Sequence, residues 1–322
     1  MPTSSSQRTL FNLPISGLVH LLIVYVVWGS TFLAIRIAVR EGAGWDPYSM
    51  AGSRLLIAGV LLLLFAKLRG QRILPERNEW WRLTLYGLFI WVIGHGIVVW
   101  AEEVVPSGQA ALIVGSVPIW GAIFEAFADK RRPSAGMILG LALGFVGLIL
   151  LLDPITLFRE QSVSPRLAVV VIGTLSWSGG VVYQARKRVG LSSMASSGWQ
   201  QLLASVGFAV LFVTLENKMP TPTVDAWLAW AYLLVFGSLI AFTSYVIMVK
   251  VLPTSIVLTH TYVNPAVAVF LGWFFLSEEI NPRVLFGAVL ILTGVGIVFA
   301  AKRRWKARPI TRVPLGRDQL PG

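Results

Sequence analysis

Ten apolar stretches, each long enough to cross a lipid bilayer, set what this chain can fold into. They fall at about 18–38, 47–66, 80–101, 107–128, 135–152, 164–185, 193–215, 226–249, 255–276 and 282–301. A helix needs about 20 predominantly apolar residues to span the hydrocarbon core. In lipid the backbone must satisfy its own hydrogen bonds, which a helix does within one segment. The connecting loops are short and leave no room for a soluble domain between spans. The expected fold class is an all-α integral membrane protein with ten transmembrane helices. The chain is 13% charged, against about 25% in a soluble domain, so it has too little polar surface to cover a globule in water.

The sequence has no cysteine, which excludes disulfides, thiolate metal sites and cysteine nucleophiles. It shows no dinucleotide fingerprint, Walker motif, zinc-protease HExxH or GxSxG elbow. No cofactor and no metal is expected, and the chain carries no ATP-binding machinery of its own. A net charge of +12 suggests nucleic acid in a soluble protein. Here it reads as topology, because basic residues collect in cytoplasmic loops.

Alternating the loops tests that reading. With the N-terminus inside, the inner loops and both tails hold 19 Lys and Arg, and the outer loops hold five: Arg40, Arg159, Arg166, Lys218 and Arg283. Both termini are therefore expected in the cytoplasm. The segment "WAEEVVPSGQAAL" becomes an outward-facing turn between helices 3 and 4. Glu102 and Glu103 end helix 3, where a helix C-terminus disfavours acids. Arg36 and Arg40 are the nearest cations by depth, and two solvated loop acids are the other reading.

A shift of 147 residues brings the same pattern back. Pro106 falls on Pro253, Pro118 on Pro265, Gly140 on Gly287 and Gly147 on Gly294. With a two-residue slip, Trp28 falls on Trp177. Each half then has five helices, and because five is odd the second half enters the membrane in the opposite direction. Such inverted-topology repeats build many secondary transporters, with the solute path between the halves. Pro118 and Pro265 lie mid-helix, where each is either a packing kink or a helix break that exposes carbonyls to a cavity.

The stretches "YVVWGSTFLAIRIAV", "SRLLIAGVLLLL", "GHGIVVWAEEVVPSGQAALIVGSVPIW" and "PAVAVFLGWFFLSEEINPRVLFGAVLILTGV" resemble the EamA family of the drug/metabolite transporter superfamily. The resemblance covers about residues 18–301. It implies ten helices as two inverted five-helix repeats and, in most members, efflux of small metabolites across a bacterial inner membrane. It implies no particular solute. The resulting division is a cytoplasmic segment 1–17, repeats at 18–152 and 164–301, and a basic cytoplasmic tail 302–322. Two positions depart from the family pattern. The first half reads Asp129-Lys130-Arg131, with Glu125 a turn earlier, where a Gly-Glu pair is usual, and His95 stands where a smaller amide is expected.

Charges inside a bilayer are costly and mark functional sites. Arg54 lies two turns into helix 2, roughly 10 Å deep at 1.5 Å per residue, as a structural pair or as a contact for an anion or carboxylate. Its repeat mate is the uncharged Gln201. Glu125, near the inner end of helix 4, either pairs with Lys130 or Arg132 or serves as an acid for proton coupling. Helix 9 holds "THTYVNP", with Thr259, His260, Thr261, Tyr262 and Asn264 before Pro265, and its mate "LIVGSVP" is nearly apolar. That run is an interhelical hydrogen-bond seam or a solute site. His95 can join it, and Trp28 and Trp177 can wall a cavity. Gly136, Gly140 and Gly144 are spaced for helix packing.

The expected function is secondary transport of small organic solutes, amino-acid-like or amphipathic, by alternating access and in the export direction. Its partners are the solute, the lipid bilayer and the proton as candidate coupling ion, with no nucleic acid. A lipid-acting membrane enzyme needs a nucleophile–base pair or a metal cluster, which no spacing supports. A channel needs a charged ring or carbonyl filter motif, and none is visible.

Overall fold

A computed structural model describes residues 9–10, 13–105, 107–153, 155, 159, 164–216, 219–276 and 282–301. Ten helices are long and apolar enough to cross a membrane. They are α1 (Ile15–Val39), α2 (Pro47–Leu68), α3 (Arg77–Glu102), α4 (Ser107–Val114 continued by Val117–Asp129), α5 (Ala135–Leu152), α6 (Arg166–Arg186), α7 (Ser193–Leu215), α8 (Val224–Val251), α9 (Thr254–Val257 continued by His260–Leu276) and α10 (Pro282–Ala301). Ahead of α1, Thr9–Leu10 pairs with Leu13–Pro14 as a two-stranded turn. The end of the bundle carrying the 40–46 and 219–223 loops is called distal here, and the end carrying the 69–76 and 187–192 loops proximal.

Helix starts follow local chemistry. Asp46 caps α2, accepting from the Tyr48 and Ser49 amides at 3.0 and 2.8 Å, and Pro47 occupies the first turn, where no amide donor is needed. Ser134, Ser192 and Thr223 cap α5, α7 and α8 in the same way. Lys130 ends α4 and Asp153 ends α5 in left-handed conformation, and the Asp153 carboxylate pairs with Arg283 at the start of α10.

The halves are joined by helices packed against their own repeat mates. α5 lies along α10, and α2 along α7. At the first crossing, a Cβ on Gly140 would stand 2.8 Å from the Gly294 carbonyl oxygen, and one on Gly147 would stand 2.7 Å from that of Gly287. The contact is reciprocal, at 2.6 Å from Gly294 to the Gly140 oxygen and 2.8 Å from Gly287 to the Gly147 oxygen. Advancing along α5 therefore means retreating along α10, so the two mates run antiparallel. Gly59 meets the Gly198 oxygen at 2.9 Å in the matching α2–α7 crossing. Both crossings run repeat mates antiparallel, the arrangement that an inverted-topology repeat requires. Only glycine permits such backbone contact, which is how helices without a hydrophobic drive between them gain packing energy.

The contacts of α1 and α6 obey the same exchange. α1 packs on α8 and α9, and its mate α6 packs on α3 and α4. Both α3 and α8 widen into nine-residue π-helical stretches, Gly87–His95 and Leu233–Ala241, one residue from perfect register. Pro118 does not sit mid-helix. It lies in the first turn of the second α4 segment, after a break at Gly115 and Ser116, so its missing amide costs nothing there. Pro265 is inside its segment, and the α9 break comes earlier, at Leu258 and Thr259.

Candidate functional site

The halves enclose a cavity of about 90 Å³, walled by α1, α2, α3, α4, α6, α8 and α9. The π-helical widening of α3 presents Trp91, Gly94 and His95 to it, and that of α8 presents Gly237. Such widenings recur at functional sites.

Arg54 forms one pole. Its side chain is 2% exposed, and Nη2 lies 2.8 Å from His95 Nε2. A guanidinium can only donate, so this His95 nitrogen accepts and the ring proton sits on Nδ1. The guanidinium carbon stands 5.9 Å from the centre of the Trp91 ring. Arg54 Nε, Trp91 Nε1 and Trp177 Nε1 are buried without an acceptor. All three are donors, and no Asp or Glu is among the described residues that line the cavity.

The other pole is the α9 break. Three successive side chains donate back to carbonyls around the break, two of which, Ile256 and Leu258, also accept the Thr259 and Thr261 amides at 3.1 and 3.3 Å. Thr259 Oγ1 reaches the Ile256 oxygen at 2.6 Å, His260 Nδ1 the Val257 oxygen at 2.8 Å, and Thr261 Oγ1 the Leu258 oxygen at 3.0 Å. The polar run therefore reinforces the break, adding side-chain donors where the backbone bonds tighten to a three-residue spacing. With its donor spent, His260 offers the Nε2 lone pair and Thr261 its oxygen. Asn264 donates to the His260 carbonyl at 2.8 Å and the Tyr25 carbonyl at 3.2 Å, tying α9 to α1.

Between the poles, Trp28 and Trp177 meet edge to face, with ring centres 5.7 Å apart. His260 and Tyr245 complete the cluster at 5.1 and 5.2 Å from Trp28. Repeat mates also line the cavity together: Val114 answers Thr261, and Val117 answers Asn264. One wall is apolar where its twin is polar.

Trp28, Arg54, His95, Trp177, His260 and Asn264 all line this cavity. Tyr262 does not. It turns to α5, donating to the Leu141 carbonyl at 3.1 Å and packing against Gly144, because a residue beside cavity-facing Thr261 points about 100° away on a helix. Glu125 is half-buried at the proximal end of α4, outside the lining, and Arg186 pairs with Asp129 at 2.8 Å nearby. Trp91, Thr31 and Thr174 line the cavity without having been singled out. For Trp91 a signal existed, four residues before His95 on one helix face.

At the distal end, Arg36 does supply cationic company, but to backbone. Its Nη1 lies 2.5 Å from the Glu102 carbonyl oxygen and 2.7 Å from that of Glu103, capping α3. The Glu103 carboxylate takes Arg166 instead, at 2.5 Å, and that guanidinium stacks 4.4 Å from the Trp100 ring centre. The remaining expected features (Pro106, Lys218 and the basic tail) lie outside the described residues.

Ten apolar helices whose repeat mates pack antiparallel, with a largely apolar cavity that holds a buried arginine between the halves, define a membrane transporter fold. The profile of the EamA-like transporter family matches residues 15–153 and again 165–300, and the chain belongs to that family. It is 34% identical over 302 residues to the uncharacterized inner membrane transporter YedA of Escherichia coli K12, covering 92% of this chain and 94% of that protein. It is 26% identical to the protein PecM of Dickeya dadantii, over 88% of this chain and 93% of the relative. A solved crystal structure superposes with TM-score 0.73 over 90% of this chain and 98% of its own, at 18% identity. That likeness speaks for the fold alone. Family membership makes the chain a transporter and not an enzyme.

Proposed function

We propose that this protein is a secondary exporter of small zwitterionic or carboxylate-bearing solutes with an apolar body, working by alternating access in a bacterial inner membrane with both termini cytoplasmic. The observation that carries the solute class is Arg54. Its buried guanidinium belongs to a lining residue, its Nε and the nearby Trp91 and Trp177 indole donors have no acceptor, and no acid is among the described lining residues. A buried charge left uncompensated is costly, and a solute carboxylate supplies what the protein withholds. The apolar body rests on Trp28, Trp177, Val114 and Val117, and the acceptors of His260 and Thr261 suit an ammonium group. The inner-membrane location follows the relatives, and the orientation follows the loop charges. Protons remain the candidate coupling ion.

The test is counterflow in liposomes containing purified protein, with leucine and phenylalanine beside their decarboxylated amines and deaminated acids. Saturable exchange of compounds that keep the carboxylate, and none of the amines, is the expected result. Equal movement of the amines would sink the assignment of Arg54.

A further inference from the structure

Glu102 takes no part in the site above, yet it is the most enclosed acid among the described residues. It closes the last turn of α3, is 0% exposed, and neither carboxyl oxygen has a hydrogen-bond partner. Helix α3 is packed here by α1, α2, the first segment of α4 and α6. Their charged groups toward this end are all accounted for. On α1, Arg36 spends Nη1 on the Glu102 and Glu103 carbonyls, and Arg40 at its end is exposed. On α2, Arg54 holds His95, and Asp46 caps the helix. On α6, Arg166 takes the Trp100 carbonyl and the Glu103 carboxylate. The first segment of α4 carries no charge and contributes Gln109. Glu103, one residue on, is ion-paired and partly exposed.

An ionised carboxylate without a hydrogen bond, shut from water, is far costlier than a neutral carboxyl group in the same place. We propose that Glu102 is a proton-carrying site of the transport cycle. It holds a proton while the distal end is packed as here. It releases that proton to the distal aqueous phase when the end of α3 parts from α1 and water reaches the carboxyl group. The same movement frees Arg36 Nη1 from the two carbonyls, so the new carboxylate gains a cation as it loses its proton. This assignment rests on the transport reading for its use, and it places the coupling acid at Glu102 instead of the partly exposed Glu125.

Two measurements test it, and neither needs a solute, so a failure of solute flux and a failure of this site are told apart. Infrared spectra of the reconstituted protein at neutral pH should show the carbonyl stretch of a protonated carboxyl group. It should disappear in Glu102→Gln, persist in Glu103→Gln and move in frequency in Glu102→Asp. A wild-type protein without the band, or a band that survives in Glu102→Gln or does not move in Glu102→Asp, overturns the proposal. The second measurement uses Val98→Cys in the cavity wall as the single thiol, labelled from the distal side across a pH series. Raising the pH should speed labelling several-fold more than it does in the same cysteine variant carrying Glu102→Gln, which reports thiol ionisation alone. Identical pH profiles would remove Glu102 from the opening step.

Discussion

Trp28 and Trp177, equivalent positions of the two repeats, touch each other edge to face with ring centres 5.7 Å apart. Their environments differ. Trp28 Nε1 donates to the Gly237 carbonyl at 3.3 Å, whereas Trp177 Nε1 has no acceptor. Trp28→Phe should therefore cost about 1 kcal/mol more than Trp177→Phe, the worth of one hydrogen bond. Thermal melting of both purified variants checks this. Equal losses would mean that the long Trp28 bond contributes nothing.

Replacing Arg54 should separate stability from transport. Arg54→Met exchanges a buried charge for an apolar side chain of similar length, a change that is often neutral or stabilising. Transport of the carboxylate solutes should nevertheless weaken about 10- to 100-fold, since a hydrogen bond to a charged group is worth about 1.5–3 kcal/mol. A variant that melts lower yet keeps its apparent affinity would make Arg54 structural.

On α9, residues two apart should behave differently. Asn264→Ala and His260→Ala should change the ranking among competing solutes, and Tyr262→Phe should leave it intact while lowering stability through the lost bond to the Leu141 carbonyl. Competition assays in liposomes, all three variants beside wild type, decide. A re-ranking by Tyr262→Phe alone would move the site toward α5.

The absence of native cysteine makes orientation directly testable. Met219 is 86% exposed in the distal 219–223 loop and Leu74 is 69% exposed in the proximal 69–76 loop. In intact cells an impermeant thiol reagent should label Met219→Cys and spare Leu74→Cys. The opposite pattern would invert the charge-based assignment.

Glycine substitutions should track distance to the facing backbone. Gly140→Ala and Gly287→Ala each push a methyl group to 2.8 Å from a carbonyl oxygen, while a Cβ on Gly296 meets nothing within 4 Å. Overpacking costs about 1–3 kcal/mol, so the first two should melt distinctly lower than Gly296→Ala. Three equal melting curves would show that the α5–α10 crossing yields without strain.

Length and periodicity made the spans legible, and the offset of 147 residues foretold which glycines correspond. What stayed hidden was the direction each residue faces. In water a polar stripe marks the exposed side of a helix, but lipid tails are as apolar as a leucine core, so Tyr262 and Thr261 look alike in sequence. Arg54 was legible as a costly charge, but its partner His95, 41 residues on, was not. The α9 run was read as seam or site. Its side chains bond back to the carbonyls around the helix break, and His260, Thr261 and Asn264 also line the cavity.

Each half brings the same pair of glycines to the α5–α10 contact and meets the same pair in return, the logic of a self-complementary dimer interface written into a single polypeptide. Such a joint binds its two sides to a common fate. A side chain added to either glycine closes the gap for both, and no change in the twin can reopen it. Val117 and Asn264 show no such bond, since these mates both line the cavity and yet one is apolar and the other polar. The duplicated ancestor could thus keep its seams and still diversify what it carries.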